Sequence, residues 1–194
     1  MIKISLLLLC AYVLGSIPFG VIVARLKGVD IQKVGSGNTG ATNIYRNLGV
    51  VPGAIVFIAD MIKGYAACWL VGFFLPGSYW PITLAGLLVI FGHNVSIFLK
   101  GKGGKGASTG VGVLLFISPL ITAIIFVVVI IIIKTTRYVS VATLTAATIM
   151  PIIFIITAQP AAYLCLVLLS MVLIWYKHIP NIKRLVDGTE NKIL

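Results

Sequence analysis

Three stretches of the chain gather residues able to hold a phosphate. The first, GSGNTGATNIYRNLG, runs from Gly35 to Gly49. Glycines such as Gly35 and Gly40 let backbone N–H groups close around an oxyanion. Ser36, Thr39 and Thr42 add hydroxyl donors, and Asn38 and Asn43 each offer a donor and an acceptor. Arg46 supplies a planar fork that grips a phosphate through two parallel bonds. A plain connecting loop needs neither this many glycines nor this polarity.

The second stretch, GHNVSIFLKGKGGKG, spans Gly92 to Gly106. Lys102 and Lys105 alternate with Gly103, Gly104 and Gly106, and an apolar run opens directly after them. Backbone donors and the positive end of a helix then come together, as a phosphate cradle requires. The GxxxxGK[ST] pattern of a nucleotide P-loop is absent. A lysine-bearing anchor loop is the plainer reading, but it has no need of the glycines. His93 and Asn94 precede this loop, and an ionisable group in an apolar stretch is expensive enough to mark a site. Asp60 and Lys63 stand one helical turn apart in another apolar stretch. They are read either as an internal ion pair or, for Lys63, as a substrate contact.

The third stretch, HIPNIKRLVDGTENK, spans His178 to Lys192. His178, Asn181 and Arg184 are phosphate-type ligands, and Glu190 is one of only 4 acidic residues in the chain. Pro180 is expected to end a helix here. The competing reading is a basic tail lying on anionic lipid.

These segments punctuate a chain that is 60% hydrophobic and 10% charged, with mean hydropathy +1.14. A soluble domain carries about 25% charged residues, so the chain is expected to be an all-α integral membrane protein. The net charge of +11 lies in the gaps between apolar runs, as positive-inside bias requires; it points to anionic substrates and lipid headgroups, not nucleic acid. Cys10, Cys68 and Cys165 have no metal-like spacing, and no disulfide, metal or cofactor is expected. Lys3 followed by LLLLC superficially suggests a short signal, but the hydrophobicity continues to Val23, so a first span is expected.

Spans are expected at Ile4–Ala24, Val50–Phe74, Trp80–Leu99, Val139–Thr157 and Ala161–Tyr176. The run Ala107–Ile133 is interrupted at Ser118-Pro119. Two crossings there give seven spans, an outside N-terminus, a cytoplasmic C-terminus, and cytoplasmic loops at 25–49, 100–106 and 177–194 of a single domain, 1–194. The cost is length: helices of about 12 and 15 residues reach only roughly 18 and 22 Å, short of a core about 30 Å thick. Short or broken helices are tolerated where they line a cavity. One tilted crossing, giving six spans, is the alternative.

Neither a GxSxG elbow nor an HxxxxD pair is present: Phe98 and Lys183 stand five residues after His93 and His178. Together LGSIPFG (Leu14–Gly20), SGNTGATN (Ser36–Asn43), GHNVSIFLKGKGGKG and NIKRLVDGTE resemble the bacterial membrane acyl-phosphate:glycerol-3-phosphate acyltransferase family. The resemblance covers nearly the whole chain, in the same motif order. It implies a multi-pass protein of the bacterial inner membrane with its active site toward the cytoplasm. It implies transfer of an acyl group from long-chain acyl phosphate to glycerol 3-phosphate, giving lysophosphatidic acid, and a soluble acyl-phosphate-forming enzyme as upstream partner.

For that reaction His178, Asn181, Lys105 and Ser36 are the expected catalytic residues, with Lys63 and the other residues named in the three stretches, from Gly35 to Glu190, holding phosphates. His93, His178 and a substrate phosphate remain alternatives for the base. Two other classes of function stay open: a transporter for a phosphorylated solute, and a non-enzymatic membrane anchor.

Overall fold

A computed structural model of the chain describes residues 2–193. Every regular element among them is helical: α1 (Ile2–Ser16), α2 (Phe19–Leu26), α3 (Ala41–Leu48), α4 (Val50–Phe74), α5 (Tyr79–Asn94), α6 (Ala107–Ile117), α7 (Pro119–Thr136), α8 (Val139–Ile156) and α9 (Ala161–Val186), with short 3-10 turns at Ile31–Lys33 and Ile97–Leu99. Six stretches are long and apolar enough to cross a membrane, counting Ile2–Leu26 as one, and α6 is a shorter apolar helix. The run 107–133 therefore does divide at Ser118, where Pro119 takes the first position of α7, the place where its missing N–H costs nothing.

The structure departs from the sequence expectation in three places. The first span is broken at Ile17-Pro18, because proline has no N–H and disfavours helix in the residue before it. The break frees carbonyls deep in the protein: Ile17 O accepts from Lys63 Nζ at 2.9 Å, and Ser16 O accepts from Ser96 Oγ at 2.6 Å. Second, part of the first polar stretch is a helix, α3. Ala41, Ile44 and Leu48 mark its apolar face, and they pack into a small core with Val21, Ala24, Ile31 and Val56. Third, α9 runs through Pro180 to Val186. Proline there forfeits the bond to the Tyr176 carbonyl, on a residue that is 66% exposed.

The main core lies where α1, α4, α5, α6 and α9 meet, around Ala67, Cys68, Val89, Val113 and Leu166. Small residues set how closely these helices approach. A Cβ on Gly64 would collide with the Thr109 carbonyl oxygen, and one on Gly112 with that of Met61. Helix α6 therefore begins against the middle of α4, about 21 Å along it by helix rise. Its short length follows from this: the loop that feeds α6 reaches inward. Large apolar side chains such as Ile131, Ile155 and Val172 face outward, as a lipid-facing surface requires.

Candidate active site

The inward loop, α3 and the chain after α9 enclose one end of a cavity of about 500 Å³. Ser36, Asn38, Arg46, Lys105, His178, Asn181 and Glu190 line that polar end. The rest is apolar, walled by Phe57 of α4, Leu114 of α6, Phe126 and Val129 of α7, Met150 of α8 and Leu166 of α9.

Glu190 organises the polar end. Past α9 the chain turns back through Gly188, in the left-handed region at φ +68, and the Glu190 amide donates to Arg184 O at 3.0 Å. The carboxylate is buried yet fully engaged. Oε1 accepts from Asn181 Nδ2 at 2.6 Å and from Ser140 Oγ at 2.9 Å, and Oε2 accepts from Arg184 Nε at 2.7 Å. Burial alone would raise its pKa, but the bonds from Asn181, Arg184 and Ser140 and the Arg184 charge outweigh burial and lower it. Asn181 is thereby oriented, with its Oδ1 turned to accept from Lys105 Nζ. The following residues also join the site, because Arg46 donates to Asn191 O and the Ile193 amide donates to Arg137 O at 2.9 Å.

Lys105 is held at the cavity, where burial lowers its pKa most. Glu190 pulls it back up, Arg184 and Arg46 push it down, and the result is about 8 against an ordinary 10.5. His178 lies beside it, with Nδ1 bonded to Ile174 O at 2.7 Å. A carbonyl only accepts, so Nδ1 carries the proton and neutral His178 has its free lone pair on Nε2.

In the first stretch Asn43 ties the loop together. Its Nδ2 donates to Val34 O at 3.0 Å and Asn38 O at 2.9 Å, and its Oδ1 accepts from the Ser36 amide at 3.1 Å. Asn38 Oδ1 caps the Gly40 amide at 2.8 Å. Gly35 takes φ +60 with no room for a Cβ beside Asn43 and Asn47, and Thr39 is buried against Gly20. Gly40, Thr42 and Asn43 reach the cavity at the N-terminal turn of α3; the Gly40 and Asn43 amides are already bonded, to Asn38 Oδ1 and Gly40 O, which leaves those of Ala41 and Thr42 as the opening N–H groups without an i−4 partner.

Several expected phosphate ligands are placed elsewhere. The amides of Gly103 and Gly104 donate to Asn94 O at 3.3 Å and His93 O at 3.0 Å, so they close a turn instead of cradling an anion. Donors at the cavity come one step later, from the first turn of α6, where Gly106, Ala107 and Ser108 line it. Asn94 is buried, and its carbonyl also accepts from Lys177 Nζ at 3.1 Å. Lys102 is exposed. Arg184 reaches Glu190, and His93 lines the cavity wall. Lys63 is paired with Asp60 at 2.7 Å and does not line the cavity. Sequence reasoning missed Ser140, because one hydroxyl among the four of α8 gives no signal.

A cationic polar pocket opening into an apolar groove between helices is the arrangement of a membrane-embedded site for an amphiphilic ligand. The glycerol-3-phosphate acyltransferase family profile matches residues 5–188. Curated proteins named glycerol-3-phosphate acyltransferase are similar over nearly their whole length. One from Carboxydothermus hydrogenoformans is 44% identical over 98% of this chain and 96% of its own. One from Aquifex aeolicus is 40% identical over 98% and 99%. Crystal structures of PlsY, an integral membrane glycerol 3-phosphate acyltransferase, superpose closely. The glycerol 3-phosphate form has TM-score 0.94 and 38% identity over 98% of this chain and 95% of that one. The lysophosphatidic acid form has TM-score 0.92 and 37% identity. The chain belongs to the glycerol-3-phosphate acyltransferase family.

Proposed function

We propose that this glycerol-3-phosphate acyltransferase takes its acyl group from a long-chain acyl phosphate and passes it to the 1-hydroxyl of glycerol 3-phosphate. The products are lysophosphatidic acid and inorganic phosphate, in the first step of phospholipid synthesis. One observation carries this reading: the Lys105–Asn181–Glu190 network stands at the mouth of an apolar groove within a single cavity. The acyl tail lies in the groove, and both phosphates lie among Ser36, Arg46, Lys105 and the opening turns of α3 and α6.

The hydroxyl oxygen attacks the acyl carbonyl carbon, the bond from that carbon to the phosphate oxygen breaks, and phosphate leaves. The donor is already activated, so no acyl-enzyme forms. Holding the reactants together lowers much of the barrier, and donors at the carbonyl and leaving group lower the rest. The hydroxyl proton passes to a substrate phosphate oxygen, with His178 and Asn181 orienting that phosphate. Complete loss of kcat at every pH in both His93→Ala and His178→Ala, with affinity intact, would replace the phosphate with a histidine base.

The basic segments 25–49, 100–106 and 177–194 face the cytoplasm across the bacterial inner membrane, with the N-terminus outside. The acyl phosphate comes from a soluble enzyme on that side. The test is release of inorganic phosphate from palmitoyl phosphate and glycerol 3-phosphate, with palmitoyl-CoA as parallel donor, in inside-out and right-side-out vesicles. Lysophosphatidic acid from acyl phosphate in inside-out vesicles alone is expected. Product from palmitoyl-CoA only would overturn the donor, and activity in right-side-out vesicles only would overturn the orientation.

Lys105 also sets an expected pH dependence. An uncharged amine no longer attracts phosphate, so kcat/KM should fall above about pH 8. Folding has the opposite sign. The folded chain releases this proton at about 8 and the unfolded one near 10.5, so between those values the Lys105 contribution to stability rises as activity falls. A kcat/KM profile flat to pH 10 would show that the charge of Lys105 is not needed.

A further inference from the structure

Behind the cavity wall, five elements meet at a buried ion pair. Asp60 and Lys63 sit one turn apart in α4, with side chains 2% and 3% exposed. Lys63 Nζ also donates to Ile17 O at the α1–α2 break and lies 5.7 Å from the Phe19 ring centre. Asp60 Oδ1 is 3.5 Å from Nδ1 of His93 in the last turn of α5. The same Nδ1 is 3.1 Å from Oγ1 of Thr109 in the first turn of α6. Burying two charges costs several kcal/mol per ion, and well-packed apolar residues often serve stability equally well. Stability alone therefore does not account for the pair.

The arrangement does account for the placement of His93. The carboxylate beside Nδ1 favours the proton there, and that N–H, bonded to Thr109 Oγ1, fixes the ring plane. The ring then forms a bed for the inward loop. A Cβ on Gly104 would collide with His93 Nε2, and one on Gly103 with His93 O. His93 O accepts the Gly104 amide at 3.0 Å. The next residue is Lys105, which reaches Asn181 across the cavity. His93 lines both the large cavity and a small void beside Asp60 and Lys63, so it forms a partition between them.

We propose that Asp60, neutralised by Lys63, is a positioning residue: it locks the His93 ring, and His93 locks the Gly103–Gly104 turn that delivers Lys105 to substrate phosphate. This rests on the phosphate-binding role of Lys105 proposed above.

The test uses the full chain in lipid, with KM, kcat and Tm measured for Asp60→Asn, His93→Gln, the double variant D60N/H93Q and the paired variant D60N/K63M. Because Lys105 is displaced but present, each single variant should raise KM for glycerol 3-phosphate or acyl phosphate at least about tenfold, with a smaller change in kcat. The alkaline limb of kcat/KM should move away from pH 8. D60N/H93Q should be no worse than the weaker single variant, since both cut one linkage. D60N/K63M, which leaves no lone buried charge, should recover Tm and keep the raised KM.

Recovery of both Tm and KM in D60N/K63M, or multiplicative losses in D60N/H93Q, would reduce the pair to packing. If Asp60→Asn does not fold, Thr109→Val removes the other ring partner at nearly constant volume. Unchanged KM in that variant and in His93→Gln would likewise overturn the proposal. Lys105→Met with full activity would instead remove the reading on which it rests.

Discussion

Substituting Glu190 with alanine is expected to lower kcat/KM about a thousandfold, roughly 4 kcal/mol, in the range for breaking a buried pair by removing one partner. Three donors lose their acceptor at once: Asn181 Nδ2, Ser140 Oγ and Arg184 Nε. Asn181 is then free to turn, and Lys105 loses the Oδ1 that holds it. The positive charges of Arg46, Lys105 and Arg184 remain without the one carboxylate that offsets them. Lys105 should in consequence shed its proton more readily, because Glu190 is what raises its pKa against burial. The alkaline fall in kcat/KM should start below pH 8 in this variant. Glu190→Gln keeps the shape and loses the charge, so its loss should be intermediate. Phosphate release across a pH series checks both statements. Wild-type kcat/KM in Glu190→Ala would mean that the residues after α9 are not part of the site.

Gly112→Leu is expected to destabilise the fold itself, not only to lower activity. The atoms in the way are backbone, the Met61 carbonyl and the Tyr65 amide nitrogen, and a helix backbone cannot swing aside as a side chain can. Overpacking of this kind costs about 1–3 kcal/mol, so a Tm drop of about 2–12 °C in detergent is expected. Gly64→Leu should behave alike, since it meets the Thr109 carbonyl. Gly110 is a control on the same helix: its Cβ would find only Ile90 Cδ1 at 3.9 Å, an ordinary contact. Gly110→Ala should therefore keep its Tm. Equal Tm for Gly112→Leu and wild type, read by thermal unfolding of monodisperse protein, would contradict the close approach of α4 and α6.

The division between α6 and α7 was legible because Ser118-Pro119 is a punctuation that a continuous span does not carry. The polar ends of the cavity were legible for the same reason: Ser36, Arg46, Lys105, His178 and Asn181 stand out against an apolar background. What hid α3 was the turn chemistry just before it, where glycine, serine and asparagine mask the start of a short apolar face, Ala41, Ile44 and Leu48. Pro180 misled in the other direction, since one lost hydrogen bond did not outweigh the packing on either side of it. The Gly103 and Gly104 amides were unreadable, because a glycine pair looks alike whether it cradles an anion or clears space for a histidine ring. The groove was invisible too. Phe57, Phe126 and Met150 line it, yet in an apolar chain nothing separates them from lipid-facing neighbours.

The two sides of the polar pocket are made at very different times. Ser36 to Arg46 leaves the ribosome before α4 to α9, whereas Asn181 and Glu190 come only with α9 and the turn behind it. Until α9 has been inserted and the chain behind it has turned back through Gly188, Lys105 has no Asn181 to hold it and Arg46 has no Asn191 carbonyl. A partly translated or stalled chain therefore carries these basic loops without the contacts that order them. The polar pocket is complete only once α9 and the turn through Gly188 are in place.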